Sequence, residues 1–313
     1  MTVLFSSLLL GFAWFAAVAI AIMPLAWGLG RLALRHPRSS AATLLGARLF
    51  AGAVPAIFVL TMFMPSHWRF EPARTDEAFG LVLGGLAMAG VWLVGRATFR
   101  AARLIWQDYQ LRLATGRIAA PIAGGAYEVR GLPGVALAGI LRPRVIIGSD
   151  ALAALTPSEL AVAISHEEAH QRSRDNLKRF LIACAPDLFG WTRTARDLEA
   201  RWQAESECQA DALAVRGEDG RAVVLASALV KVARLAQRHV SVRPSEAWSA
   251  FHVPNLLETR VRRLVSAPMM PAAAGRAWNL AALLVVGAAA IVGMSDLGYA
   301  LHEVTEAFVA NLP

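Results

Sequence analysis

The stretch from Thr2 to Gly30 contains no charged residue, and it constrains the fold more than any other feature of the chain. A helix of about 20 apolar residues crosses a lipid bilayer, so this segment is long enough to span one with some tilt. A cleaved signal peptide is the competing interpretation, but no basic region precedes the apolar run and the run is too long. The sequence therefore predicts a first transmembrane helix at about residues 3–30.

Three further apolar blocks are long enough to cross a membrane, and they cover Ala41–Met64, Ala78–Gly95 and Ala277–Ser295. Arg48 lies near the start of the first of these, where we expect its side chain to reach the membrane interface. Hydrophobic residues make up 56% of the chain and charged residues 17%, a balance too apolar for an ordinary soluble domain. We expect four transmembrane helices, at about 3–30, 41–64, 78–98 and 277–297.

The charges of the connecting segments predict the orientation, because cytoplasmic loops of membrane proteins are enriched in Arg and Lys. The tail after the fourth block carries Asp296, Glu303 and Glu306 and no basic residue. Arginines follow the first and third blocks instead: Arg31, Arg35, Arg38, Arg96, Arg100 and Arg103. We therefore expect a multi-pass protein of the inner (cytoplasmic) membrane, with both termini extracytoplasmic and residues 96–276 in the cytosol. The net charge of +8 fits this arrangement, and since no nucleic-acid-binding motif is present we expect no nucleic-acid partner.

The polar stretch between the third and fourth blocks has the pattern of a separate domain. Short apolar runs at Val135–Leu141 and Val145–Gly148 predict two strands, the first of which we expect to pair with an extended substrate. Thr156 and Glu159 form a capping box that predicts the start of a helix, which should continue to about Ile182. Further helices are predicted at about 192–216, 221–238 and 256–265. The predicted organisation is 1–110 for three spans, 111–270 for a cytosolic domain, and 271–313 for the last span and a short tail.

The predicted helix after Thr156 carries an HExxH motif at residues 166–170. Positions i and i+4 lie on one face of a helix, so His166 and His170 can bind one Zn²⁺. Glu167 then sits beside the metal, where it can take a proton from a water molecule as catalytic base. The pattern predicts a zinc metallopeptidase with Zn²⁺ as its cofactor.

Catalytic zinc takes a third protein ligand, and the next predicted helix offers candidates for it. Glu207 and Asp211 are spaced i, i+4, so Glu207 can bind the metal while Asp211 accepts the free N–H of a ligating imidazole. Glu205 is the rival ligand, but it faces another side of the helix. We expect the metal ligands to be His166, His170 and Glu207.

Two segments of the chain resemble one known family. His166–Asn176, HEEAHQRSRDN, together with Glu207–Asp211 and the upstream Leu137–Leu160, resembles the BlaR/MecR-type antirepressor membrane metallopeptidases, and more distantly the HtpX/Ste-type peptidases. The resemblance implies a zincin-like α+β domain of the gluzincin type, with the same three zinc ligands, Glu167 as base and Asp211 as orienting residue. The receptor members carry a penicillin-binding sensor domain after the last span. Only 18 residues follow Ser295 here, so we do not expect β-lactam sensing by that route.

The expected fold is thus an α-helical membrane protein with four transmembrane helices and a cytosolic zincin-like α+β domain. The expected function is zinc-dependent hydrolysis of a peptide bond in a protein substrate, which the resemblance suggests is a cytosolic transcriptional repressor. Two alternatives remain: an HtpX-type quality-control protease acting on membrane proteins, and a non-catalytic signalling or scaffold protein that keeps the metal for structure. The sequence does not give the substrate, the activating signal or the oligomeric state.

Several other polar residues have a weaker claim on the site. His252, in a predicted loop, is a candidate for contact with the substrate oxyanion. Asp175 either orients the site or pairs with Arg172 or Arg179 on a solvated face. Cys208 is expected to be a small buried residue. A solvated or membrane-facing basic strip is expected at Arg260, Arg262 and Arg263.

Overall fold

The fold was analysed in a computed structural model, which describes residues 3–37, 39–70, 80–118, 120–122, 125–130, 132, 134–216, 218–238, 248–250, 257–266 and 296–311. These residues are mostly helical and include one small sheet. It divides into two compact units. Unit 1 comprises residues 1–99, 184–199 and 274–313, and unit 2 comprises residues 100–183 and 200–273.

Helices make up unit 1. They are α1 (Val3–Ala21), α2 (Met23–Arg35), α3 (Ala41–Phe58), α4 (Met64–Phe70), the first half of α5 (Leu81–Ile118), the first turns of α9 (Arg193–Val215), and α12 (Asp296–Asn311). A π-helical turn, Val59–Phe63, joins α3 to α4, and a short 3₁₀ turn, Phe189–Trp191, precedes α9.

Among the described residues, two helical stretches are long and apolar enough to cross a membrane, namely Ala41–Phe70 and Leu81–Leu113. The pair α1 and α2 counts as a third if it forms one span, since the two helices are bent by 47° where they meet. Three of the four expected spans therefore fall on apolar helices, and the first of them is broken near Ile22, just before Pro24. The fourth expected span, at 277–297, lies outside the described residues except for its last two positions, which begin α12.

The core of unit 1 is built from apolar side chains of α1, α5 and the π-helical turn. Leu10, Phe15, Val59, Phe63 and Leu93 are buried in it. Close packing of α1 on α5 requires a glycine: a Cβ atom at Gly90 would lie 2.0 Å from the carbonyl oxygen of Phe12. Any side chain at position 90 would therefore push the two helices apart.

The expectation that Arg48 reaches the membrane interface is wrong, because its side chain is buried in unit 1. Its Nη1 lies 3.1 Å from Oδ2 of Asp187, and its Nε lies 2.5 Å from Oε1 of Glu199. Asp187 also accepts a hydrogen bond from the backbone N–H of Gly190 at 2.6 Å. A buried guanidinium needs such partners, since an unpaired buried charge is strongly unfavourable. The residue thus forms part of an internal ion-pair cluster.

Unit 2 contains a five-stranded sheet in the order β1-β2-β4-β3-β5. Its strands are β1 (Ala120–Pro121), β2 (Tyr127–Val129), β3 (Val135–Ala138), β4 (Arg144–Gly148) and β5 (Trp248–Ala250). The β2–β4 pair is parallel and the others are antiparallel. Both predicted strands are present, although the first ends earlier than expected, before Gly139, whose φ is 111°.

The expectation that β3 pairs with an extended substrate is wrong for this conformation. β3 lies between β4 and β5, with Ala136 opposite both Ile146 and Ala250. Since both backbone edges of β3 are already paired, neither is open to a peptide. The described edges of the sheet are β1 and β5.

Helices pack on one face of this sheet. Val135, Leu137, Val145 and Ile147 alternate along β3 and β4, and all four belong to the main core of unit 2. This alternation is the two-residue period of a half-buried strand. The helices of the unit are α6 (Ser149–Ala154), α7 (Pro157–Ser173), α8 (Asp175–Ala183), most of α9, α10 (Asp219–Arg238) and α11 (Leu257–Ser266).

The helix predicted from Thr156 to about Ile182 is two helices. Its capping box is present: the Thr156 hydroxyl accepts from the Glu159 backbone N–H, and the Glu159 carboxylate accepts from that of Thr156. The helix is interrupted at Arg174, which adopts the left-handed conformation with φ 54° and ψ 40°. That conformation cannot continue a right-handed helix, so α7 ends there and α8 begins at Asp175.

Candidate metal centre

The HExxH motif lies in the second half of α7. The capping box at Thr156 fixes the start of this helix, ten residues before His166. His166, Glu167 and His170 are all buried, with exposed fractions of 0%, 0% and 1%. Burial of three adjacent polar groups on a helix is costly unless they have partners or bind an ion.

The two imidazoles face each other, and Glu207 of α9 completes a triangle with them. Nε2 of His166 lies 3.1 Å from Nε2 of His170, and these atoms are 3.5 and 3.6 Å from the Glu207 carboxylate oxygens. Ligand atoms at about 2.0–2.1 Å from a tetrahedral zinc lie about 3.3 Å apart, so the spacing fits such an ion. Among the described residues, His166, His170 and Glu207 form the group that could hold a metal. Glu205 is not part of it.

An aspartate lies against the other nitrogen of each imidazole. Nδ1 of His166 is 3.0 Å from Oδ1 of Asp211, and Nδ1 of His170 is 2.7 Å from Oδ2 of Asp175. A carboxylate in this place fixes the tautomer so that Nε2 is free to bind a metal. Asp175 therefore contacts a candidate metal ligand, as one of its two expected roles requires, and its other oxygen pairs with Lys178 at 2.8 Å rather than with Arg172 or Arg179.

The carboxyl group of Glu167 is buried and, among the residues the structure describes, accepts no hydrogen bond at either oxygen. Burial raises the pKa of this carboxyl above its usual value, against the lowering effect of the two nearby imidazoles. A carboxylate that is free to accept a proton and lies next to a metal position has the properties of a general base.

Arg260 of α11 is the residue that sequence reasoning misassigned. Its side chain is 2% exposed rather than part of a solvated strip. Nε and Nη2 donate to the two oxygens of Asp211 at 2.9 and 2.6 Å, and Nη1 lies 3.0 Å from Oε2 of Glu207. A sequence signal for this existed: Arg260 lies three residues after Leu257 and four before Leu264, on the apolar face of an amphipathic helix. Arg262 and Arg263 are exposed, as expected.

The charges around the group determine how it behaves without an ion. Burial opposes ionisation, but Arg260 and His170 hold the pKa of the Glu207 carboxyl well below its usual range. Burial likewise opposes protonation of His170, but Glu207 and Asp175 raise its pKa to about 10. Without a metal, the group therefore pairs a protonated His170 with an ionised Glu207. A metal ion that binds here has to displace the proton of His170.

His252 lies outside the described residues. Cys208, expected to be a small buried residue, is half-buried, with its Sγ 2.5 Å from Nη1 of Arg263, and neither cysteine of the chain is in a disulfide.

In the part of the chain that the structure describes, the protein is mostly helical, has two or three helices long and apolar enough to cross a membrane, and has a buried two-histidine, one-glutamate group that could hold a metal ion. No protein-family model matches the chain, and a search of curated proteins finds no similar sequence.

Proposed function

We propose that the protein is a zinc-dependent membrane endopeptidase, which hydrolyses a peptide bond of a protein substrate at the cytosolic face of the inner membrane. The observation that carries the proposal is the Glu167 carboxyl group, which is buried and without a hydrogen bond to any described residue, next to the metal-binding group. A structural zinc site has no need of such a group, since its four positions are normally filled by protein ligands.

The choice of zinc rests on the ligand set and on the resemblance of the motif to BlaR/MecR-type peptidases. Two imidazoles and one carboxylate are a common ligand set of catalytic zinc, with the fourth position left for water or substrate. Zinc held by His166, His170 and Glu207 would polarise the scissile carbonyl and lower the pKa of the attacking water.

The residues of the chain then supply the rest of the chemistry. Glu167 accepts the proton of the attacking water and delivers it to the nitrogen of the leaving amine. Asp211 and Asp175 hold the two imidazoles in the orientation that presents Nε2 to the metal. Arg260 keeps Glu207 and Asp211 in place and offsets part of their negative charge.

The cytosolic placement rests on the distribution of arginines around the apolar helices. The expected substrate class follows from the resemblance: a cytosolic repressor, or a membrane protein under quality control. Neither choice affects the chemistry at the centre.

The test is a comparison of the wild-type chain with Glu167→Gln, each purified in detergent and loaded with zinc. We expect both proteins to bind one zinc ion per chain, and we expect only the wild type to cleave a protein substrate. Glu168→Gln is the matched control, because Glu168 is the next residue along α7, is partly exposed, and pairs with Arg172 on the helix surface. Expression of Glu167→Gln in the native host should then trap the substrate for identification by mass spectrometry.

The scaffold alternative gives a different result. If wild type and Glu167→Gln bind zinc equally and no protein accumulates with the variant in the host, the metal has a structural role. If neither protein binds zinc, the proposed centre is wrong.

A further inference from the structure

Arg179 of α8 is a second arginine beside the metal-binding group. Its Nη2 lies 3.6 Å from Oε1 of Glu207, which is too far for a hydrogen bond. Nε and Nη2 are both buried, and neither has a hydrogen-bond partner among the described residues. Buried guanidinium donors are costly without acceptors, so these two nitrogens are suited to an acceptor that a bound ligand brings.

Arg260, the other arginine at the group, is already engaged. Its Nε and Nη2 donate to Asp211, and its Nη1 lies 3.0 Å from Glu207. Its side chain is 2% exposed, whereas the side chain of Arg179 is 20% exposed. Arg179 is therefore the arginine that reaches from the protein surface to the metal-binding group, and its donors are the ones that a ligand can use.

The ring of Trp202 holds Arg179 in place. Cζ of Arg179 lies over this ring, 5.9 Å from its centroid, and Trp202 is 3% exposed. A guanidinium over an aromatic face is attracted through its charge, so the contact does not occupy its N–H donors. The donors of Arg179 are thus positioned before a ligand binds. Donors that are fixed in advance stabilise a charge that develops during a reaction better than mobile ones do.

We propose that Arg179 is a catalytic residue, which donates a hydrogen bond to the scissile carbonyl oxygen of the substrate as that oxygen gains negative charge. The proposal rests on the proposed function. The oxygen of the attacking water bonds to the carbonyl carbon, the π electron pair of the C=O bond moves to the carbonyl oxygen, and Glu167 takes the proton. When the C–N bond breaks, that pair returns to the carbon–oxygen bond and the proton goes to the leaving nitrogen. Arg179 transfers no proton and acts through its charge.

The test measures the binding of two small ligands at the metal, so it needs no cleavage. The full-length chain in detergent is loaded with cobalt in place of zinc, because the visible absorption of cobalt changes with its coordination. Methylphosphonate is a tetrahedral anion that mimics the charged oxygen, and imidazole is a neutral ligand. Arg179→Gln should bind methylphosphonate about 10–100-fold more weakly, which is the contribution of a hydrogen bond to a charged group, and imidazole equally well.

Two further variants show whether the effect comes from charge at this position. Arg179→Lys keeps the positive charge and should bind methylphosphonate with intermediate affinity. Arg172→Gln is the matched control and should leave both affinities unchanged, since Arg172 is 57% exposed and pairs with Glu168 on α7. The affinity for cobalt should not fall in any of the three variants, because Arg179 is not hydrogen-bonded to Glu207.

The outcomes separate this role from the proposed function. Loss of cobalt affinity in both Arg179→Gln and Arg179→Lys would mean that the arginine supports the structure of the centre, and would overturn the proposal. Equal binding of methylphosphonate by wild type and Arg179→Gln, or no binding by the wild type, would overturn it and leave the metal centre standing. Failure of the wild type to bind cobalt would overturn the proposed function and this proposal together.

Discussion

Nη2 of Arg260 lies 2.6 Å from Oδ1 of Asp211, and both side chains are buried. The guanidinium makes a second bond to the other oxygen of Asp211 through Nε, so the pair is bidentate. Its remaining nitrogen lies 3.0 Å from Glu207. One arginine thus joins α11 to α9 and separates two carboxylates that would otherwise repel each other across the metal-binding group.

Replacing Arg260 with methionine should destabilise the metal-free protein by about 3–5 kcal/mol, because it removes the guanidinium that pairs with both buried carboxylates and leaves Glu207 with the more distant Arg179, at 3.6 Å. Zinc should recover part of this loss, since it supplies positive charge to Glu207. The measurement is the melting temperature in detergent with and without zinc. Arg262→Met is the control and should have little effect, because Arg262 is 74% exposed and pairs with exposed Glu258. Equal losses with and without zinc would argue against a role at the centre.

Asp211→Ala and Asp175→Ala should each weaken zinc affinity by about 10–100-fold, because each removes the carboxylate that orients one imidazole. Competition with a fluorescent chelator gives the affinity, and circular dichroism checks that the protein stays helical. Asp150→Ala, on α6 and away from the group, is the control. An unchanged affinity in either variant would remove that aspartate from the centre.

Glu159 should make the stability of unit 2 depend on pH. Burial opposes the shift, but hydrogen bonds from Lys231 and Ser227, at 2.7 and 2.6 Å, lower the pKa of its carboxyl to about 2 from a usual value of 4.5. A depressed pKa means that the folded state binds the proton more weakly than the unfolded state does. The stabilisation is therefore present above about pH 4.5 and is lost as the pH falls towards 2.

Glu159→Gln should accordingly lower the melting temperature at pH 7 and flatten its fall below pH 5, where only the wild type loses this contribution. Glu258→Gln provides the control, since Glu258 is 84% exposed. If the two melting curves of wild type and Glu159→Gln run parallel from pH 7 to pH 3, the carboxylate does not contribute as described.

The buried ion-pair cluster of unit 1 predicts a strongly non-additive pair of substitutions. Arg48→Met leaves Asp187 buried without its guanidinium and should destabilise the protein by about 3–5 kcal/mol, whereas the double variant with Asp187→Leu should lose less. Thermal unfolding in detergent measures both. Exposed Arg35→Met should be close to neutral. A double variant as unstable as the sum of its single variants would show that the two residues are not coupled.

The orientation predicted from the arginines can be tested with single cysteines at exposed positions, in a background without the two native cysteines. Pro37→Cys and Ser158→Cys should be protected in intact cells from a membrane-impermeant maleimide. Arg69→Cys and Ala310→Cys should react with it. All four sites are exposed in the structure. The reverse pattern would place unit 2 outside the cytosol and exclude a cytosolic substrate.

Local patterns in the sequence were sufficient to find much of the site and of the secondary structure. The capping box at Thr156 and Glu159 gave the start of α7, because its two hydrogen bonds join residues only three apart. The i, i+4 spacing of His166 and His170 placed both imidazoles on one helix face for the same reason. Long apolar runs identified three helical regions through composition alone.

Features that depend on contacts far apart in the chain were decided by the tertiary structure. The sequence places Arg260 in a solvated or membrane-facing basic strip, because nothing nearby in the sequence shows that Asp211 and Glu207, about 50 residues earlier, lie against it. Arg48 appeared to reach the interface, because its partner Asp187 is 139 positions away. A buried charge is stabilised by whatever the fold brings to it, and sequence spacing carries that information only within a helix turn or two.

The end of α7 at Arg174 is also a feature that the local sequence does not predict. The sequence from Thr156 to Ile182 has no glycine or internal proline to stop a helix, so it predicts a single one. The left-handed conformation of Arg174 is unfavourable locally, and it lets α8 start where Asp175 reaches His170 at 2.7 Å. The sequence by itself determined which residues can bind a metal. Only the tertiary structure decided which carboxylates and which arginine surround them, because those contacts join α7, α8, α9 and α11 in space.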